Sequence, residues 1–252
     1  MYEIYNEDCM QGMKRIADGS IDCIICDPPY GHSTDCAWDV RLPMDEMWAE
    51  FNRVTKLNGA IVLFSQLPFA VDLINANRKM FRYEYVWHKS TAVGFLNANK
   101  MPLRSHENIL VFYRRLPTYN PQFRTGKAYN RVQKEFSGGN VYKRRKVSQT
   151  FNDGNHYYPR DVLEVKSVNS SSKTEPRYHP TQKPLALMEF LVRTYTNEYD
   201  IILDATMGSG TTGVAAVRNW RRFIGFEKEE KYFDISRKRI AEALALKRQE
   251  LF

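Results

Sequence analysis

Three features of this 252-residue sequence predict an α/β fold. Short apolar runs alternate with helical patterns in both outer portions of the chain, a strand at 201–203 runs directly into a glycine-rich turn and a helix, and a buried-type strand at 21–26 ends in Asp-Pro-Pro-Tyr. The length fits one large domain or one domain with an insertion, because a single hydrophobic core stops growing near ~250–300 residues. A chain that is 43% hydrophobic and 13% aromatic can bury a sizeable core without staples, which excludes a disordered tail or a minimal scaffold.

In chain order, the N-terminus Met1-Tyr-Glu-Ile-Tyr-Asn-Glu-Asp8 lacks the basic start and apolar run of a signal peptide, and nowhere do ~18 apolar residues run together. A cytoplasmic protein without membrane contact is expected. Ile21-Asp-Cys-Ile-Ile-Cys26 reads as a strand, 44–56 as a helix, 60–64 as a strand, 69–76 as a helix, and 83–87 and 108–113 as strands. The pattern resumes with a helix at 185–196, the strand at 201–203, a helix at 211–219 and a strand at 222–226. A last helix at 232–251 places Phe233, Ile240, Ala243 and Leu244 on one side. Cys9, Cys23, Cys26 and Cys36 all lie in the first 36 residues, too local to staple the rest. Cys23 and Cys26, three apart on a strand, face opposite ways, so buried thiols are expected there and no metal. His88, His106 and His179 show no paired ligand spacing, and no metal is expected at them either.

Lys and Arg exceed Asp and Glu by 8 over the whole chain, and one segment holds the excess. Residues 114–177 carry fourteen Lys or Arg against five Asp or Glu, interleaved with Tyr119, Phe123, Tyr129, Phe136, Tyr142, Phe151, Tyr157 and Tyr158. Basic residues among aromatics suit phosphate contact with base stacking, and point to nucleic acid rather than to a merely solvated loop. Arg124, Arg131, Lys143, Arg144 and Arg145 are the candidate contacts. Residues 167–173, rich in serine, read as a connector.

Asp204-Ala-Thr-Met-Gly208-Ser-Gly210-Thr-Thr-Gly213 matches G-x-G-x-x-G between a strand and a helix, a turn that brings backbone close to a nucleotide-like ligand. Glu227 closes the next strand, where a ribose-binding carboxylate belongs. A nicotinamide or flavin enzyme is the first hypothesis, but only 25 residues follow Glu227, too few for the remaining units of a dinucleotide fold. The sheet must therefore be completed by strands earlier in the sequence.

Asp27-Pro28-Pro29-Tyr30 follows the strand at 21–26, and ligands of open α/β sheets bind beyond such strand ends. The prolines fix φ and remove two amide donors, so the carbonyls of Asp27 and Pro28 can be held toward a site. Asp27 offers a carboxylate, Pro28 a carbonyl and Tyr30 a ring face, which together can grip a planar ring bearing an amino group.

These residues resemble those of a DNA amino-methyltransferase dependent on S-adenosylmethionine, of the β class in which the catalytic motif precedes the cofactor motif. Asp27-Pro-Pro-Tyr30 resembles the catalytic motif, Asp204 through Thr212 the glycine-loop motif, and His179-Pro-Thr-Gln-Lys-Pro184 the motif just upstream of it. Asn6-Glu-Asp8-Cys9, Tyr85-Val-Trp87-His-Lys89 and His106-Glu107-Asn-Ile-Leu-Val-Phe112 are similar to three further family segments. The likeness covers about residues 1–113 and 178–240. One departure stands out: Thr206 occupies a position where the family commonly has an aromatic residue.

The resemblance implies a Rossmann-like, mostly parallel sheet with helices on both faces and permuted motif order, made of a catalytic half at 1–113, a basic target-recognition insertion at 114–177 and a cofactor-binding half at 178–252. It implies methyl transfer from S-adenosylmethionine to the 6-amino group of a flipped adenine in double-stranded DNA, with Asp27, Pro28, Pro29 and Tyr30 catalytic and S-adenosylhomocysteine as product. Asp8 and Cys9 would meet the cofactor adenine and Glu227 its ribose. Asp204, Thr206, Gly208, Ser209, Gly210, Thr211 and Thr212 would form its cradle, and Thr181 and Lys183 would meet its carboxylate. Asp27 favours adenine, cytosine enzymes more often having Ser there; N4-cytosine and RNA remain alternatives, as does a non-catalytic nucleic-acid-binding protein with a retained fold. A homodimer and a separate cognate endonuclease are compatible with the resemblance, and a nicotinamide oxidoreductase ranks last.

Overall fold

In the computed structural model, residues 1–31, 39–133, 148–169 and 175–250 are described. They form two compact units, Met1–Asn120 with Asp161–Phe252, and Pro121–Arg160. The described residues of 114–120 and 161–177, grouped with the basic insertion on sequence, fall in the first unit.

The first unit begins with β1 (Tyr2–Tyr5) and a single helical turn, α1 (Cys9–Gly12), whose start is capped by the Asp8 carboxylate through Met10 N and Gln11 N. β2 (Ile21–Cys26), α2 (Met44–Val54), β3 (Thr55–Ser65), α3 (Phe69–Ala76), β4 (Phe81–Val93) and β5 (Arg104–Phe112) follow. The second unit holds β6 (Tyr129–Gln133) and β7 (Ser148–Asn152). The first unit then resumes with β8 (Val162–Val165), α4 (Leu185–Tyr195), β9 (Ile201–Asp204), α5 (Thr211–Arg218), β10 (Arg222–Phe226) and α6 (Glu230–Gln249). Pro43, Pro68 and Pro184 precede α2, α3 and α4, where a missing N–H costs nothing. The start of α4 is completed by Glu175, whose carboxylate accepts from Leu185 N at 3.0 Å.

Eight strands make one sheet in the order β1-β10-β9-β2-β3-β5-β4-β8. The first five are parallel, β5 runs against both β3 and β4, and β8 is parallel to β4. Strands β9 and β10 slot between β1 and β2, so the late strands complete a sheet begun by the early ones. Helices cover both faces, and the alternation of side chains along each strand divides the core in two. Cys23, Ile25, Val62 and Phe64 pack with Leu187 and Leu191 of α4, Val214 and Val217 of α5, and Ile240 of α6. Ile24, Cys26, Ile61 and Leu63 pack on the other side with Met47, Trp48 and Phe51 of α2 and Leu73 of α3. Cys23 and Cys26 thus face opposite layers, both as buried free thiols. Burial pushes Cys9, also a free thiol, up to about 12.

Besides the β6–β7 pair, two short strands of the main sheet lie outside the sequence reading. Tyr2-Glu-Ile-Tyr5 and Val162-Leu-Glu-Val165 are four-residue strands at the sheet edges, with no fully buried position and held by their neighbours rather than by apolar content. Among the described residues no helix is long and apolar enough to cross a membrane.

The second unit is an antiparallel pair, β6 with β7, in which Arg131 is registered with Thr150. Arg124 and Tyr157 bridge beyond it, and Gly126 N donates to Gly154 O at 2.7 Å. Phe123 packs on Tyr158 at 5.2 Å and on His156 at 5.4 Å. Arg124 and Arg131 are exposed, as are Phe123, Tyr129, Phe151 and Tyr158. Lys143, Arg144 and Arg145 lie outside the described residues, as do Cys36, Phe136, Tyr142 and part of the serine-rich connector.

Phe112 is fully buried, with Trp48 at 4.8 Å and Phe81 at 5.5 Å between ring centroids. Phe112→Ala should cost about 3–5 kcal/mol by leaving a cavity between α2 and the sheet. A denaturant midpoint within error of the parent would show that this layer does not depend on the ring.

Candidate active site

β2 and β9 are parallel neighbours, registered Cys23 with Ile202 and Ile24 with Leu203. The crossover from β2 passes through α2 on one face and the crossover from β9 through α5 on the other, so the chain diverges at their carboxyl ends. Such a divergence opens a crevice. A cavity of about 520 Å³ lies there, lined in part by Asp8, Asp27, Tyr30, Lys183, Gly208 and Glu227.

Asp27 is the residue after β2, and each of its polar atoms on this side has a partner. Tyr30 Oη donates to Oδ1 at 2.9 Å, and the Tyr30 ring tilts against Phe69 with centroids 5.3 Å apart. Lys183 Nζ pairs with Oδ2. Thr206 Oγ1 donates to the main-chain carbonyl at 2.9 Å while lying 3.2 Å from Cys26 Sγ. Of the two carbonyls expected to face the site, that of Asp27 is therefore turned to the glycine loop instead. The unusual Thr206 explains this, because a hydroxyl can tie the two loops together where an aromatic ring could not. Burial raises the Asp27 carboxyl above its usual range; Lys183 pulls the other way and Glu107 adds to the rise.

Lys183, expected beside a cofactor carboxylate, has its ammonium engaged by protein acids. It lies between Asp27 and Glu107, 3.5 Å from Glu107 Oε2, with the Phe64 ring centroid 5.0 Å away. Lys89 Nζ pairs with Glu107 Oε1, which also accepts from Gln66 Nε2 at 3.2 Å. Asp27, Lys183, Glu107 and Lys89 thus alternate in sign along a chain whose middle pair is 8% and 6% exposed. Burial would depress the Lys183 ammonium, but Asp27 and Glu107 hold it above its usual range. Burial would likewise raise Glu107, and Lys183 with Lys89 holds it below. Sequence reading placed Glu107 within a family segment without a role, since nothing in a strand sequence says which residue across the sheet will face it.

The glycine turn is braced from three sides. Asp204 Oδ2 accepts from Thr212 Oγ1 at 2.5 Å and Oδ1 from Thr206 N at 3.1 Å. Arg239 of α6 donates to Ser209 O at 2.6 Å and to Thr211 Oγ1 at 3.2 Å, a brace that no local motif announces. Gly208 and Gly210 have φ of +50° and +79°, a region costly for other residues, and a Cβ on Gly208 would meet only the His179 ring at 3.9 Å. Backbone is thus bare toward the cavity at Gly208. Glu227, half-buried at the end of β10, accepts from Gly208 N at 2.9 Å through Oε2 and from Glu229 N at 2.8 Å through Oε1. Thr181 is exposed and hydrogen-bonds the His179 ring at 3.0 Å. Burial first, then Lys183, Arg177 and Lys231, lowers His179 to about 4, which keeps the imidazole neutral. The glycine turn apart from Gly210, which packs against Ser236 and Ile240 of α6, lines the same cavity as Asp8, Cys9, Asp27, Thr181, Lys183 and Glu227. No group of three or more His, Cys, Asp or Glu suited to a metal occurs among the described residues.

The chain and its fold resemble those of known proteins. The model of the family described as DNA methylase matches residues 21–238. The chain belongs to this family. Among its relatives, the type II methyltransferase M.BglII of Bacillus subtilis is 30% identical over 93% of this chain and 67% of that protein. The DNA adenine methyltransferase YhdJ of Escherichia coli K12 is also 30% identical, over 98% of this chain and 85% of that protein. Among solved structures, the M1.HpyAVI–SAM complex is 26% identical with a TM-score of 0.63, covering 95% of this chain and 99% of that one. The PvuII DNA methyltransferase, named as cytosine-N4-specific, shares the fold at 16% identity and a TM-score of 0.67, over 98% and 92% of the two chains. This methylase therefore has the Rossmann-like methyltransferase fold, and the wide span of the family model covers both β2 and β9.

Burial pushes the Asp204 carboxyl up from 3.8 to about 7, against its Thr212 and Thr206 hydrogen bonds. The folded methylase holds this proton more tightly than the unfolded chain does, so the group's contribution is complete below pH 3.8 and is lost as pH rises through about 7. Over that window wild-type stability should fall relative to Asp204→Asn by up to about 1.4 kcal/mol per pH unit. Denaturant titrations of the two proteins that run parallel across the window would contradict this.

Proposed function

We propose that this DNA methylase transfers a methyl group from S-adenosylmethionine to the exocyclic 6-amino group of a flipped adenine in double-stranded DNA. The supporting observation is that the Asp27 carboxylate and the glycine turn share one cavity, tied by the Thr206 to Asp27 hydrogen bond. Acidic Asp27 and the naming of YhdJ as an adenine enzyme favour adenine over cytosine.

The cavity fits the cofactor on its own terms. Each Glu227 oxygen accepts one amide and retains a lone pair for ribose hydroxyls. Asp8 spends Oδ1 on its helix cap, and its other oxygen suits the adenine amino group with the Cys9 backbone beside it. Bare backbone at Gly208, continuing through Ser209, Gly210, Thr211 and Thr212 into the start of α5, suits the methionine end. Asp204 and Thr206 act by bracing that turn. Bound S-adenosylmethionine supplies a methyl carbon on a sulfonium centre and is released as S-adenosylhomocysteine.

The amine of adenine is a poor nucleophile because its lone pair is delocalised into the ring. Asp27 carboxylate and Pro28 carbonyl accept its two hydrogens, draw the nitrogen toward tetrahedral geometry and localise the lone pair. The rigid Pro28-Pro29 pair holds the carbonyl, and Tyr30 gives a ring face for the flipped base. The raised Asp27 carboxyl suits it to receive the proton released after alkylation. Unstacking the base costs a few kcal/mol, which phosphate contacts can offset. For these we assign the basic insertion as the target-recognition element, with Arg124 and Arg131 exposed among rings in the unit Pro121–Arg160, and Lys143, Arg144 and Arg145 as further contacts.

Purified protein incubated with unmethylated DNA and S-adenosylmethionine should yield N6-methyldeoxyadenosine after digestion to nucleosides and mass spectrometry. Asp27→Ala should lower kcat by at least about 100-fold with cofactor binding retained. N4-methyldeoxycytidine would move the target to cytosine and keep the mechanism, whereas no methylated base from a cofactor-binding protein would sink the assignment. Arg124→Glu with Arg131→Glu should weaken DNA binding and reduce its salt slope by about one per lost phosphate contact. Unchanged affinity and slope would remove both residues from the interface.

A further inference from the structure

We infer that the Lys183 ammonium is a placeholder that yields the Asp27 carboxylate to the target amine by moving onto Glu107, which makes Lys183 and Glu107 positioning residues for methyl transfer. This rests on the proposed role of Asp27 as acceptor of the amine.

Both Asp27 oxygens already have donors, Tyr30 Oη on Oδ1 and Lys183 Nζ on Oδ2. An incoming amine must displace one of them. Lys183 has somewhere to go: Glu107 Oε2 is 3.5 Å from its nitrogen, and that buried oxygen takes no hydrogen bond from the described residues. Glu107 Oε1 is already engaged by Lys89 and Gln66, so Oε2 is reserved for a donor on the Lys183 side. A buried carboxylate oxygen that has an ammonium beside it but no directed hydrogen bond is only partly compensated, and a short movement of Lys183 toward it completes the bond. A flexible four-carbon stem allows the short movement.

The move changes the chemistry of Asp27 at the right moment. While Lys183 sits on it, the carboxylate is neutralised; once the ammonium has withdrawn, Asp27 is more basic and has a free acceptor. The amine nitrogen then bonds the methyl carbon, the sulfur–carbon bond breaks with its electrons going to sulfur, and the proton leaving nitrogen passes to Asp27. Return of Lys183 drives that proton to water. The movement of Lys183 itself leaves the charge of the buried chain unchanged, with two acids and two ammonium groups before and after it. The groups that face Asp27 are Cys26 and Tyr30 from its own strand and loop, Asp204 and Thr206 from the glycine loop, Lys183 from the segment before α4, and Glu107 from β5. Lys89 of β4 meets Glu107 from behind.

The test is the pH dependence of kcat for full-length wild type, Lys183→Met and Glu107→Gln, on DNA of the sequence context mapped with wild type and at saturating S-adenosylmethionine. Glu107→Gln should lower kcat at least about tenfold with cofactor affinity unchanged, and should move the acid limb to lower pH, because Lys183 stays on Asp27 and a nearby negative charge is gone. Lys183→Met should move the acid limb to higher pH, because burial and Glu107 then act on Asp27 unopposed. Glu107→Asp should recover part of the rate, and Lys183→Arg, whose broad guanidinium cannot make the same transfer, should resemble Glu107→Gln if either primary variant fails to fold. Limbs that move together or stay in place, or full kcat in Glu107→Gln, would overturn the inference while leaving Asp27 as acceptor. A wild type that methylates no base would overturn the role of Asp27 itself, and the placeholder with it.

Discussion

The pairing of β2 with β9 is the constraint on which the rest of the molecule depends. Two registered residue pairs join segments that lie 179 positions apart where Thr206 meets Asp27, and a cavity exists only because the crossovers leave these strands on opposite faces. A slip of one residue would exchange the two core layers, sending Cys26 from the α2 side to the α4 side. It would also shift Asp27 by ~3.3 Å relative to the glycine turn, more than the Thr206 hydrogen bond can span. Packing on both faces thus sets the register that the chemistry needs.

Within the crevice, the cost of burying charge shapes what is possible. Each ion withdrawn from water loses several kcal/mol of hydration, and single buried ions are not tolerated without a partner. Asp27, Lys183, Glu107 and Lys89 meet this by alternating in sign, with aromatic faces of Phe64 and Trp87 beside the two ammonium groups. The consequence is interdependence: no member of the chain has an environment of its own, and the protonation of Asp27 is a property of the set.

The sheet and its helices were legible because apolar runs such as Ile21–Cys26 and helices such as Leu185–Tyr195 carry their own period. The completion of the sheet by early strands was also legible, from how little chain follows Glu227. An edge strand such as Tyr2–Tyr5 was not, since none of its residues is fully buried and its pairing is supplied by β10. At the site, the motif residues were readable as a set because Asp-Pro-Pro-Tyr and the glycine pattern each constrain backbone. The partners of Lys183 were not, because an ion pair between residues 156 positions apart leaves no local trace. Arg239 escaped for the same reason, as one of many basic residues on a helix whose brace to Ser209 depends on how α6 packs.

The late insertion of β9 and β10 between β1 and β2 also bears on how the protein is made. When the ribosome has completed β5, β2 still lacks its neighbour on one side, and its apolar edge stands open until residues 201–226 emerge. Parallel pairing across so long a span is slow, and unpaired apolar edges are the surfaces on which chains aggregate. The nascent protein must therefore carry an incomplete sheet through the synthesis of the whole basic segment, so its yield in the cell depends on how well that open edge is shielded from other chains.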